Sequence, residues 1–166
     1  MKRILSVLLF LCFAVLLTSC SYSTDNKGNS TNETYIMYEA LDAAAYSSYI
    51  SKEINACTNQ LSTMMLLAES VVNDGYSSDD ALESAKYALG IIDECYEKVD
   101  IMTPPFQYED TRTNVLRMME NAETDISSLI SILSTKPLDI EALNNLIPYI
   151  QNDFIALTAE FNVFYE

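Results

Sequence analysis

The chain has 166 residues, contains no His and no Trp, and carries a formal net charge of −15 at pH 7. Its length fits one domain, and an apolar content of 49% with only three Gly and four Pro excludes a disordered chain. The absence of His excludes every Ser-His or Cys-His catalytic pair, and the strong negative charge argues against nucleic acid as a partner, because its phosphates would repel the protein.

The chain begins with a basic start followed by a short apolar run. Lys2 and Arg3 precede the run, which extends over residues 4–17. A helix that crosses the hydrocarbon core of a bilayer needs about 20 residues, so this run is too short for a transmembrane anchor. The pattern predicts a secretory signal peptide.

The apolar run ends in Leu17-Thr18-Ser19-Cys20. This string of Leu, two small residues and Cys resembles the lipobox of bacterial lipoprotein precursors. The resemblance implies that residues 1–19 are a signal peptide, that cleavage falls between Ser19 and Cys20, and that Cys20 carries a diacylglyceryl group. It also implies an extracytoplasmic protein anchored to a bacterial membrane, which would be the cell membrane or, in a Gram-negative host, the outer membrane. An ordinary signal peptide with an incidental Cys20 is the alternative.

A polar segment follows the predicted lipidated cysteine. Residues 20–33 are rich in Ser, Asn and Thr and have no apolar period, which is typical of a flexible tether. Its thirteen residues after Cys20 have a root-mean-square reach of about 20 Å. Residues 34–166 are then the folded domain.

From residue 34 onward, apolar residues recur at alternating steps of four and three, the spacing of one helical face. Breaks in the pattern predict helices over 34–73, 78–103, 109–134 and from 139 to the end of the chain. Short connections make successive helices antiparallel neighbours. The predicted fold class is all-α: an antiparallel up-down-up-down four-helix bundle with a long first helix. Three helices and a loose segment are the alternative.

The residues at the breaks support these boundaries. Gly75 can adopt the left-handed conformation that ends the first helix, and Ser77 or Ser78 can cap the second. Asp139 can cap the fourth helix, inside which Pro148 is expected to produce a kink.

Two cysteines lie on the apolar faces of the first two predicted helices. A turn centred near residues 75–76 places Cys57 opposite Cys95 in an antiparallel hairpin. Disulfides persist outside the cytoplasm, so we expect the pair to be close and to form a disulfide. The alternative is two buried free thiols that behave as small hydrophobes.

The predicted first helix is longer than its partner, so its N-terminal part is expected to project beyond the second helix. Tyr and Met are favoured at binding surfaces. The projecting part therefore predicts a surface for a protein partner or a second copy, formed by Tyr35, Met37, Tyr38, Leu41 and Tyr46. The alternative is that the chain bends near residues 43–48 and folds back over Phe106 and the end of the fourth helix.

The remaining chemistry-bearing residues predict neither a metal site nor a cofactor. The acidic clusters lack metal-binding spacing and are expected to form a solvated outer surface. Three tyrosines beside the apolar faces, Tyr87, Tyr96 and Tyr149, are expected to be half-buried.

The sequence thus predicts a protein that is not an enzyme. It would be a lipid-anchored extracytoplasmic helical module that binds a protein or serves as a structural component of the cell envelope. The alternative is a lipoprotein that binds a small molecule or an ion in a cleft between helices.

Overall fold

The structure, a computed structural model, describes residues 42–164. These residues form one bundle of four α-helices with a single 3₁₀ turn, and no strand occurs among them, which confirms the predicted fold class. The predicted signal peptide, the predicted tether and residues 34–41 lie outside the described residues. The elements in chain order are α1 (Ala43–Asn73), α2 (Ser78–Asp100), the 3₁₀ turn (Phe106–Tyr108), α3 (Glu109–Ser134) and α4 (Ile140–Val163).

Each helix packs along its sequence neighbours, and α4 returns to pack along α1. Across the bundle, α1 touches α3 at only a few points. This is the arrangement expected when short connections join antiparallel helices, because each helix then buries one apolar face against two neighbours and the centre.

Polar side chains and one glycine set the ends of the helices. The Ser77 hydroxyl accepts a hydrogen bond from the Asp80 amide (3.3 Å), and the Asp139 carboxylate accepts one from the Ala142 amide (2.9 Å), so both predicted caps are confirmed. Gly75 has φ +69°, the left-handed conformation expected after α1.

The predicted start of the first helix is wrong. α1 begins at Ala43, because Asp42 has an extended backbone and its carboxylate accepts a hydrogen bond from the Ala45 amide at 2.7 Å. A residue with that conformation caps a helix and does not continue one. With 31 residues α1 is still the longest of the helices described, about 46 Å against about 35 Å for α2.

Pro148 lies inside α4, and the helix continues through it to Val163. Proline has no amide hydrogen, so the carbonyl of Asn144 loses its usual helical donor. The degree of bending at this point stays a prediction.

The core follows the predicted apolar faces. Buried side chains recur at three- and four-residue steps on every helix and form one cluster in the centre of the bundle. The largest of those that are fully buried are Tyr46, Ile50, Ile54, Leu61, Met64, Ile92, Met119, Ile126, Leu129, Leu133, Leu143 and Ile150.

Two basic side chains link elements at opposite ends of the bundle. At one end, Arg112 on α3 donates to the carbonyl of Val99 (3.2 Å), to the carbonyl of Asp100 and to the Asp100 carboxylate (2.9 Å). At the other end, Lys136 after α3 binds the Asp79 carboxylate at 2.7 Å. These links fasten the ends of α2 to the helix that follows it.

Candidate functional site

The predicted cysteine pair lies inside the bundle. Cys57 on α1 and Cys95 on α2 are buried, and the two thiols interact electrostatically across the α1–α2 interface. Both are free, so the predicted disulfide does not exist in this structure. The alternative, in which the two cysteines pack as small apolar side chains, describes what is observed.

A buried carboxylate accompanies the thiols. Glu53 on α1 is only 2% exposed, and its Oε2 lies 3.7 Å from the Lys98 ammonium of α2. Its Oε1 lies 3.9 Å from the Lys52 ammonium and has no hydrogen-bond partner among the residues described. A carboxylate in this position is costly unless cations compensate it, and these two lysines supply that compensation from the surface.

The environment of the thiols opposes ionisation. Burial, together with the charge of Glu53 and a hydrogen bond to it, raises the pKa of Cys95 to about 12. Burial raises the pKa of Cys57 further, with smaller contributions from Cys95 and from Asp153 on α4. Because the thiolate is the nucleophilic form, neither thiol is suited to nucleophilic chemistry at neutral pH.

A second pair of acidic groups lies between α3 and α4. The carboxyl groups of Asp125 and Asp153 interact across this interface, and Oδ2 of Asp153 is buried with no hydrogen-bond partner among the residues described. Burial first, then a hydrogen bond to Asp125 and its charge, raise the pKa of Asp153 to about 7. Asp153 therefore keeps its proton below about neutral pH, because burial and a like charge beside it disfavour the ionised form.

This carboxyl pair borders an open cavity of about 240 Å³. Asp125, which belongs to one of the acidic clusters predicted to form a solvated surface, is half-buried here, whereas Glu120 and Glu123 of the same cluster are exposed as expected. The cavity is lined by amide, hydroxyl and carboxyl groups, namely Asn121, Thr124, Asp125, Tyr149, Asn152 and Asp153.

A third feature lies where the described chain enters the bundle. We call this region the entry end and define it as residues 42–48, 101–108 and 163–164. Its centre is an aromatic cluster in which the Tyr108 ring lies 5.5 Å from that of Tyr46 and 5.2 Å from that of Phe164, between ring centroids. The Ser47 hydroxyl donates to the Phe164 carbonyl at 3.2 Å, so the start of α1 is fastened to the end of α4.

The entry end corrects one predicted partner-surface residue. Tyr46 is fully buried and its hydroxyl has no hydrogen-bond partner in the described part, so it is a core residue. Burial raises its pKa to about 12. Residues 43–48 therefore do not project, because they are the first turns of α1 and pack against the end of α4. The alternative, a bend at these residues with the chain folded back over Phe106, is not observed either, since α1 is continuous there and Phe106 is exposed. The other predicted surface residues, Tyr35, Met37, Tyr38 and Leu41, lie outside the described residues.

Beside the aromatic cluster lies a cavity of about 520 Å³, made by small residues at the start of α1. A further cavity of about 460 Å³ lies in the groove between α1 and α2, next to Met64 and Tyr87. Tyr87 is 69% exposed and Tyr149 61% exposed, so the expectation that both are half-buried is wrong. Tyr96 is half-buried, and its hydroxyl lies 3.0 Å from the Glu120 carboxylate.

Residues 42–164 thus define an acidic antiparallel helical bundle whose unusual titratable groups lie in helix interfaces. Within that range, no three His, Cys, Asp or Glu side chains are grouped so that they could hold a metal ion. None of the helices described is both long and apolar enough to cross a bilayer. Comparisons of the chain with protein-family models, curated proteins and solved structures found no match.

Proposed function

We propose that this protein is a lipid-anchored extracytoplasmic helical module that acts by binding a protein or as a structural component of the cell envelope. The anchor is Cys20, at the end of the lipobox-like string, and the tether is the polar segment after it. One structural observation supports the proposal most directly. The first helix described begins at its cap, Asp42, so the lipobox-like string and the polar segment both precede the described bundle in the chain.

The exposed apolar surface supports a role in binding. Tyr87 and Leu66 are more than half exposed on α2 and α1, and Tyr87 borders the α1–α2 groove. Tyrosine contributes much apolar contact area and a hydroxyl at little cost in side-chain entropy, which favours protein binding. The groove is therefore the described surface that we assign to a protein partner.

The test has one part for the anchor and one for binding. Mass spectrometry of the N-terminal peptide from the full chain, expressed in a bacterium, is expected to show cleavage before Cys20 and a diacylglyceryl group. The Cys20→Ala variant is expected to lose both the modification and membrane association. An unmodified Cys20 in a membrane-free protein would refute the anchor.

Binding is tested with a photoreactive residue at position 87, in place of Tyr87, compared with one at the exposed Glu97 of the same helix. We expect a specific crosslinked partner from position 87 that is absent from position 97. Equal crosslinking from both positions, or none, would argue against the groove as a binding surface.

A second candidate function is ion binding in the cleft between α3 and α4. The observation that favours it is the buried, unpartnered Oδ2 of Asp153 beside Asp125 and two amide side chains. Oxygen ligands of this kind suit hard cations such as Ca²⁺. Calorimetry with Ca²⁺ tests it: heat that disappears in Asp153→Asn would support this candidate, and an absence of heat in the unaltered chain would exclude Ca²⁺.

A further inference from the structure

The entry end carries the most exposed large hydrophobic side chain described. Phe106 is 88% exposed, and the nearby chain segments at the same end add Ile101 and Val163, each at least half exposed. Isolated exposed apolar residues are common on protein surfaces, but several at one end of a bundle indicate an interaction surface.

The connection at the entry end differs in charge from the two connections at the opposite end. Its connection, residues 101–108, contains no charged side chain, although the chain has 24 acidic residues. The two connections at the opposite end both contain charges: Asp74 in one, and Lys136 with Asp139 in the other. Contact with an apolar surface removes side chains from water, and this costs most for charged ones. The uncharged connection is therefore the part of the surface where such contact costs least.

The backbone around Phe106 is already fixed before any binding event. Pro104 and Pro105 precede it with fixed φ angles, and the Tyr108 amide donates to the Pro105 carbonyl at 2.8 Å. The Tyr108 ring is in turn stacked on the buried Tyr46. A contact residue held in place in advance loses little conformational entropy on binding.

We propose that the entry end docks on the surface of a zwitterionic lipid bilayer, with Phe106 entering the interfacial region. This inference rests on the proposed lipid anchor at Cys20. Asp42, the first residue described, lies at the entry end, and 21 residues separate it from Cys20 along the chain, of which the predicted tether accounts for thirteen. The anchor would therefore hold this end, rather than the opposite one, near the membrane at a high effective concentration.

Charge at the rim of the entry end selects the kind of lipid. Asp42 caps α1 at this end, and Glu109 and Asp110 begin α3 directly after the uncharged connection, whereas the Asp100 carboxylate is paired with Arg112. An anionic surface repels unpaired carboxylates, whereas a zwitterionic one does not. Docking is accordingly stronger on phosphatidylcholine than on a bilayer that contains phosphatidylglycerol.

The absence of Trp from the chain makes the test direct. Phe106→Trp places the sole Trp at the entry end, where the exposed side chain leaves the core undisturbed. Tyr87→Trp is the matched control, because it is also exposed and lies about 20 Å along α2 from the end of that helix at Asp100. Both variants, acylated at Cys20, are reconstituted in phosphatidylcholine vesicles with and without brominated acyl chains.

We expect the fluorescence of the Phe106→Trp variant to be quenched by the brominated lipid at least about twofold more than that of Tyr87→Trp, since interfacial side chains reach the acyl boundary. We also expect the difference to shrink when phosphatidylglycerol is added. Equal quenching of the two variants, or none in protein that floats with the vesicles, would overturn the docking proposal while leaving the anchor intact.

Two further results would also overturn lipid docking. Blue-shifted emission from the Phe106→Trp variant in an unacylated Cys20→Ala chain without vesicles would mean that protein, and not lipid, covers the entry end. Light scattering would then give the mass of the particle. A dimer would mean that a second copy covers the entry end, and a monomer would mean that the chain's own N-terminal segment covers it. Failure of the acylation itself refutes the proposed anchor and this inference with it.

Discussion

Replacing Asp153 by Asn is expected to stabilise the protein at pH 8 and to have little effect near pH 4. Asn keeps the shape and neutral charge of the protonated carboxyl group. The pKa of Asp153 is about 7 in the folded protein against 3.8 in an unfolded chain, so the folded state holds a proton that the unfolded state releases between these values. Stability from this group is therefore greatest below about pH 4, falls as the pH rises to about 7, and is level above that.

The magnitude follows from the two pKa values. Their difference would correspond to about 4 kcal/mol if solvent did not screen the charge. Because the carboxyl is only half-buried, we expect about 1–2 kcal/mol at pH 8 for Asp153→Asn. The cause is the removal of one buried negative charge beside Asp125 and near the Cys57 thiol.

Urea unfolding followed by far-ultraviolet circular dichroism, at four pH values between 4 and 8 and constant ionic strength, measures the effect. The control is Asp93→Asn, an exposed position on α2 that removes the same charge from the acidic surface. The reasoning is refuted if Asp153→Asn gains no more stability at pH 8 than the control, or if its effect is the same at pH 5 and pH 8.

Three further predictions concern the core and the helix ends. Tyr46→Phe removes a buried hydroxyl that has no partner among the described residues, so chemical unfolding is expected to show unchanged stability or a gain of up to about 1 kcal/mol. A loss of stability of more than about 1 kcal/mol would instead reveal a hydrogen-bond partner of this hydroxyl. Thiol titration of the unreduced Cys20→Ala chain, with residues 1–19 removed, is expected to find two thiols after unfolding, Cys57 and Cys95, and none that reacts rapidly when folded; none after unfolding would show a disulfide. Asp139→Ala removes the cap of α4 and is expected to cost about 1 kcal/mol, and an unchanged unfolding midpoint would contradict that role.

The spacing of apolar residues is enough to predict the number, order and buried faces of the helices. Apolar residues spaced by three and four lie on one helical face for as long as that spacing continues. The caps at Ser77 and Asp139 could also be predicted, because each hydrogen bond joins residues only three positions apart. The start of α1 could not be predicted in this way, because the apolar pattern runs on through Asp42 while the local hydrogen bond of its side chain ends the helix there.

The buried Glu53 and the half-buried Asp153 could not be predicted, for a different reason. Glu53 follows Ile50 by three residues, and Asp153 follows Ile150 by three, so both lie beside a buried face by helical spacing. A residue at the border of a buried face can point to water or into an interface, and the neighbouring helix decides which. Lys98 becomes a neighbour of Glu53, and Asp125 a neighbour of Asp153, only when the bundle forms.

The links made by Arg112 and Lys136 have a consequence for how the molecule responds to salt. In a chain with only nine basic residues, these two cations hold opposite ends of the bundle, while the middle is held by apolar contact. Added electrolyte weakens exposed ion pairs and leaves apolar contact intact. High ionic strength should therefore increase fraying at the two ends, visible as faster amide hydrogen exchange there, before the centre of any helix opens.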